Sequence, residues 1–162
     1  MLRTRTFVAG IAALASWTVL TTATASAAAL PLVVCDGGSS HGSWRLPSQS
    51  QGTGLASGRW IDSTTNQTAY RFRALLTDLP TPCLSCLEGT IEGTLDDGVG
   101  ASPDFVVRGR YFGAFNGGFG QFELSVLRPG GGGLVGTAVG DFEDLLGDGL
   151  AGRFLGTWRV CP

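Results

Sequence analysis

One pattern, Gly-x-x-x-Gly-x-apolar, recurs between residues 89 and 158, with copies at Gly89-Thr-Ile-Glu-Gly93-Thr-Leu95, Gly109-Arg-Tyr-Phe-Gly113-Ala-Phe115, Gly136-Thr-Ala-Val-Gly140-Asp-Phe142 and Gly152-Arg-Phe-Leu-Gly156-Thr-Trp158. Read at a period of two, each copy alternates glycine with a bulky residue on one face, which is the signature of a strand. The Gly-x-x-x-Gly spacing also marks paired transmembrane helices, but only inside long apolar helices, and no such run surrounds these copies. Glycine inside a strand normally weakens it, so its recurrence on the core-facing side needs a reason. Curvature supplies one. A sheet coiled into a small barrel crowds its inner face, and alternating small with large inward residues lets that interior fill without overlap. A sandwich of two sheets is the alternative that produces a similar alternation.

Alternating segments are expected as strands over Leu32–Asp36, Arg59–Ser63, Thr68–Leu76, Leu87–Asp96, Asp104–Phe115, Phe119–Leu127, Leu134–Glu143 and Gly152–Val160. Hairpin-length, Gly-rich links join most of them, which favours an all-β antiparallel meander of about eight strands, forming a small barrel or a strongly coiled roll. The stretch 37–57 is rich in Ser, Gly and Gln and reads as an irregular loop pinned by Trp44. In the fifth segment Phe105, Val107, Gly109, Tyr111, Gly113 and Phe115 share a face that Arg108 and Arg110 avoid, so one side is core and the other is wet. For the last hairpin, a turn centred on Gly147 would set Gly140 opposite Phe154, Gly136 opposite Trp158 and Phe142 opposite Gly152. A large ring would then cover the gap left by each facing glycine.

Arg3 and Arg5 precede an apolar run from Phe7 to Leu20, and small residues end at Ala25-Ser26-Ala27. That order describes a secretory signal peptide over residues 1–27, helical before its removal. Its apolar core is interrupted by Ser16 and Thr18 and falls short of the roughly 20 residues a spanning helix needs. Residues 28–162, about 135 of them, then form a single all-β domain, secreted or periplasmic. The chain carries 11 basic and 13 acidic residues, and loss of Arg3 and Arg5 takes the net charge from −2 to about −4. This balance offers nothing to hold nucleic acid, and nothing beyond the leader holds a membrane.

Four cysteines in a secreted chain of this size point to two disulfides. Cys35 and Cys161 bracket nearly the whole domain, and joining them closes the longest loop and constrains the unfolded chain most. Cys83 and Cys86 would then pair locally. Four-cysteine zinc and a redox Cys-x-x-Cys are the competing readings, but prolines and strands flank Cys83-Leu-Ser-Cys86 where a redox pair needs a helix N-terminus.

Gly38-Ser39-Ser40-His41-Gly42 matches the Gly-x-Ser-x-Gly nucleophile elbow in letters. The chemistry is missing, because His41 is the one histidine of the chain and sits inside the motif, leaving Ser40 without a separate base. The run Leu32–Trp44 also resembles the oxyanion-loop region of α/β-hydrolases, whose helices and parallel sheet could not fit in this length. Acidic residues gather at Asp96-Asp97 and at Asp141, Glu143, Asp144 and Asp148, beside turns and without the spacing of a calcium-binding loop. No phosphate loop or histidine metal triad is present, and no cofactor is expected. Gly58-Arg59-Trp60 resembles the Gly-x-Trp that opens the barrel of lipocalins and related calycins, with Arg159 on the last strand matching their partner arginine. That resemblance implies a ligand-holding cup.

The leading expectation is a non-enzymatic β-domain that binds or packs against something, with a protein partner among the candidates. The alternative is a carrier of a small apolar ligand, with Tyr111, Phe122, Phe154 and Trp158 lining the interior. A filled barrel would argue against the carrier and an open cup for it.

Overall fold

The computed structural model describes residues 34–46, 53–80, 86–114, 118–145 and 150–161. The expected leader, residues 1–27, lies outside them. The described residues contain eight strands and no helix: β1 (Asp36–Arg45), β2 (Thr53–Asp62), β3 (Thr68–Asp78), β4 (Cys86–Asp96), β5 (Phe105–Ala114), β6 (Phe119–Leu127), β7 (Leu134–Asp144) and β8 (Ala151–Val160). Each pairs antiparallel with the next and β1 pairs with β8, so the meander closes into a barrel and the sandwich alternative does not form.

Closure has a measurable stagger. From Leu87 on β4 the direct lateral partners run through Gly113, Gly120, Phe142, Phe154, Gly42, Gly58 and Phe72 and return to β4 at Leu95, eight residues further along the strand. An eight-stranded barrel with a stagger of eight has strands tilted by about 36° and an interior just wide enough for side chains to fill.

That circuit also shows what the glycines do. Phe154 leans over Gly42 and Gly58, where built Cβ atoms would stand 2.5 and 2.7 Å from its ring. Phe122 covers Gly140 and Gly156, with corresponding distances of 2.7 and 2.8 Å, and Phe142 fills the space over Gly113 and Gly120. One ring therefore takes the room of two glycines on consecutive strands. Edge-to-face contacts connect the rings, Phe154 with Phe72 at 5.6 Å and Phe122 with Phe154 at 5.7 Å between centroids.

This arrangement corrects the register expected for the last hairpin. Gly140 faces Gly156, Phe142 faces Phe154, Gly136 faces Val160 and Gly152 faces Asp144, two residues away from the Gly140–Phe154 alignment. The expected turn around Gly147 lies outside the described residues. A phenyl ring reaches farther than the roughly 4.8 Å between strands, so it covers glycines along a lateral row, and facing glycines leave it a wider seat.

The loop expected over 37–57 is the second correction, because Asp36–Arg45 is β1 and β2 begins at Thr53. The strand expected at Leu32–Asp36 is displaced accordingly: Val34 and Cys35 lie before β1, and 32–33 are outside the described residues. β1 has weak strand propensity of its own. It is held by two complete ladders, eight lateral pairs with β2 and ten with β8. Its inward positions are Ser40, Gly42 and Trp44, the first two small enough to sit where the neighbouring rings crowd.

The seam between first and last strands is stapled by the Cys35–Cys161 disulfide, as the cysteine spacing suggested. It continues the β1–β8 ladder by one step beyond Asp36–Val160. Cys86 is also disulfide-bonded, and its expected partner Cys83 lies outside the described residues.

Inside, Trp60, Leu95, Val107, Val126 and Val160 are almost wholly excluded from solvent. Outside, charged residues alternate with these positions, and three arginine–glutamate pairs lie laterally on the wall: Arg108–Glu92, Arg110–Glu123 and Arg153–Glu143. The same wall also exposes Leu55, Leu75, Phe112, Phe119, Val139 and Leu155 among its charges. No helix among the described residues is long and apolar enough to cross a membrane.

Candidate functional site

Four places in the barrel bear chemistry or space. The first is the interior. Tyr111, Phe122 and Phe154 line a cavity of about 50 Å³ together with Trp44, Phe142 and Leu124. This is small beside the roughly 300–1,000 Å³ of ordinary ligand pockets. Trp158 is not part of its lining. It stacks on Trp60 at 5.4 Å and donates its indole N–H to the Ser39 carbonyl at 3.1 Å, so four expected lining residues divide three to one.

Polar atoms inside are few. Tyr111 donates its hydroxyl to the Asp78 carboxylate, and burial, followed by that bond and the adjacent charge, pushes the phenol well above its ordinary range. Ser40 Oγ and Trp44 Nε1 are buried with no hydrogen-bond partner. The resemblance to calycins does not extend to their tryptophan–arginine packing: Trp60 points inward and is buried, whereas Arg159 is exposed on the outer wall.

The second place is the elbow-like stretch. On β1, Ser40 faces the interior with 1 % exposure while His41 faces solvent. Successive strand side chains point to opposite faces, so the imidazole and the hydroxyl have the sheet between them. The pair cannot act as nucleophile and base.

The third is the loop between β4 and β5, where Asp96, Asp97 and Asp104 bring carboxylate oxygens within 4.8 Å of one another. Each has backbone work there. Asp104 accepts from the Asp97 N–H at 2.6 Å, Asp96 from Gly98 at 2.6 Å and Asp97 from Val99 at 2.6 Å. Negative charge at this end also acts on half-buried Tyr70, whose phenol is raised first by burial and then by Asp36, Asp104 and Asp97.

The fourth place was not singled out from the sequence. On the outer wall over β8, β1 and β2, a depression of about 620 Å³ is lined by His41, Ser43, Ser57, Arg59, Arg153 and Leu155, with Glu143 at its edge and Gly42 and Gly58 in its floor. It exists because the outward residues at its centre are serines. The lateral order across the wall is Arg153, Ser43, Ser57, Arg73 in one row and Leu155, His41, Arg59, Arg71 in the next. Only the register brings together residues more than a hundred positions apart, so no local motif could have announced the basin. Against these features, comparison with family models, characterised proteins and solved structures finds no match to this chain.

Proposed function

We propose that the mature chain is a secreted, non-catalytic binding module that meets its ligand on the outer wall of a filled barrel. The contrast of volumes carries this reading: about 50 Å³ inside against about 620 Å³ in the basin over β8, β1 and β2. The interior is committed to packing, and the wall carries exposed arginine, histidine and serine side chains in a concave setting. The disulfide between Cys35 and Cys161 supports an oxidising compartment, and the leader-like residues 1–27 support export to it.

A second reading, the carrier of a small apolar ligand, draws on one observation. The cavity is lined almost wholly by apolar side chains, and one of them, Trp44, holds an indole N–H with no acceptor. An apolar molecule bearing a single acceptor would suit that lining if the interior expanded.

Amide-resolved NMR titration separates the two. Ligand-induced shifts are expected on outward-facing residues of β1, β2, β3 and β8. Saturable uptake of the apolar probe 1-aminoanthracene, with shifts at Trp44, Tyr111 and Phe122, would replace the wall reading with the carrier.

A further inference from the structure

Every ion pair recorded on the barrel wall follows one rule: an outward arginine stands directly across from a glutamate on the neighbouring strand. Arg108 faces Glu92, Arg110 faces Glu123 and Arg153 faces Glu143. Arg59 breaks the rule. Its lateral partner across β2 and β3 is Arg71, both are exposed, and neither forms an ion pair among the described residues. Directly opposed strand residues hold their Cβ atoms about 5 Å apart, where like charges destabilise the sheet. Arg73 stands two residues along β3 on the same face, so Arg71 and Arg73 are exposed on the strand beside Arg59, which lines the basin, on a domain whose overall charge is negative.

We infer that this basin binds a short acidic oligosaccharide, with Arg59 and Arg71 clamping a sugar carboxylate between them. The inference rests on the outer-wall reading above and names its ligand class. Two directly opposed arginines, neither in an ion pair among the described residues, suit a shared oxyanion, which accepts from both and cancels their repulsion. Between Arg153 and Arg73 lie the Ser43 and Ser57 hydroxyls, laterally paired, and these suit the hydroxyls of a sugar ring. The row from Arg153 to Arg73 crosses three strand spacings, about 14 Å at the backbone, long enough for more than one sugar.

Other occupants fit less well. The barrel is closed, so no free strand edge is offered for a peptide to extend by main-chain hydrogen bonding. Glu143 and Asp141 flank the basin on the β7 side and Asp96 lies across from Arg71 on β4. These carboxylates bound the cationic patch and oppose a continuous polyphosphate, while leaving room for a short ligand with separated charges.

The test is calorimetric and NMR titration of the disulfide-intact domain with trigalacturonic acid at low salt, beside maltotriose as the neutral sugar and hexaglutamate as the acidic peptide. Saturable binding of trigalacturonate is expected, weakened by added salt and weakened about ten-fold or more by Arg59→Gln and by Arg71→Gln. Arg110→Gln, on the far wall, should leave the affinity unchanged. Relief of the like-charge contact should make Arg71→Gln raise the melting temperature of the free protein while it weakens binding, a split that a purely structural arginine would not give. Equal affinity for maltotriose, or trigalacturonate binding indifferent to both substitutions, would overturn the clamp. Hexaglutamate binding with the same arginine dependence and no trigalacturonate binding would overturn the sugar assignment but leave the outer-wall reading standing. Interior uptake of 1-aminoanthracene, with no wall shifts for any anion, would remove both.

Discussion

Gly140 and Gly156 face each other directly across β7 and β8, and the ring of Phe122 from β6 lies over both. The barrel interior is built from this unit, in which a ring borrows the volume of two glycines on the strands beside it. A Cβ on Gly140 would press on the carbonyl oxygen of Leu155 as well as on the ring. Backbone cannot step aside as a flexible side chain can. Gly140→Ala should therefore destabilise the fold by about 3 kcal/mol in chemical denaturation. Gly133→Ala, where an added methyl meets open space, should shift stability by less than about 0.5 kcal/mol. Equal effects at the two positions would refute the account of the interior.

Ser40 offers a test of the opposite sign. Its hydroxyl is buried without a partner, and a buried unsatisfied polar group costs about 1–3 kcal/mol. Ser40→Ala should raise the denaturation midpoint by the equivalent of about 1 kcal/mol and leave any ligand binding unchanged. Loss of a measured esterase activity in that variant would contradict the geometry that separates Ser40 from His41.

The Cys35–Cys161 bond closes a loop of 126 residues, for which chain entropy gives roughly 4–5 kcal/mol of stabilisation. Reduction, or Cys161→Ser, should lower the denaturant midpoint accordingly while circular dichroism still reports strands in native buffer. An unchanged midpoint would mean that the β1–β8 ladder holds the seam without its staple.

Tyr70 and Tyr111, the two tyrosines of the chain, both have phenols raised above their ordinary value, and burial is the leading cause for each. A raised phenol contributes stability that is fully present below the unfolded value near pH 10 and is lost as pH climbs through the folded value. Stability should consequently decline above about pH 10. Absorbance at 295 nm should show no ordinary tyrosine titration there, the phenolate signal appearing only together with alkaline unfolding. A reversible midpoint near pH 10 in folded protein, belonging to Tyr111, would show that its hydroxyl is not held by Asp78.

Much of the fold is legible in the sequence. Strands β3 to β8 announce themselves through two-residue alternation, because a half-buried strand must separate its faces and Phe105, Val107 and Tyr111 do so against Arg108 and Arg110. β1 was illegible for the same reason. Its inward Ser40 and Gly42 are small, so its alternation carries almost no hydrophobic contrast. The cavity was half legible: aromatic residues on inward positions identified Tyr111, Phe122 and Phe154, but not that Trp158 would turn to stack on Trp60.

What the chain determined by itself is local or pairwise. The period of two sets which residues face inward, short links set antiparallel order, and the longest loop closure sets the useful disulfide. Only the tertiary structure decided the stagger of eight, the strand identity of Asp36–Arg45, and the facing of Gly140 with Gly156. Those depend on how far rings reach across neighbouring strands when the sheet closes on itself. The same closure sets Arg153 beside Ser43 and Leu155 beside His41, and so makes a basin from residues whose positions in the sequence give no sign of one another.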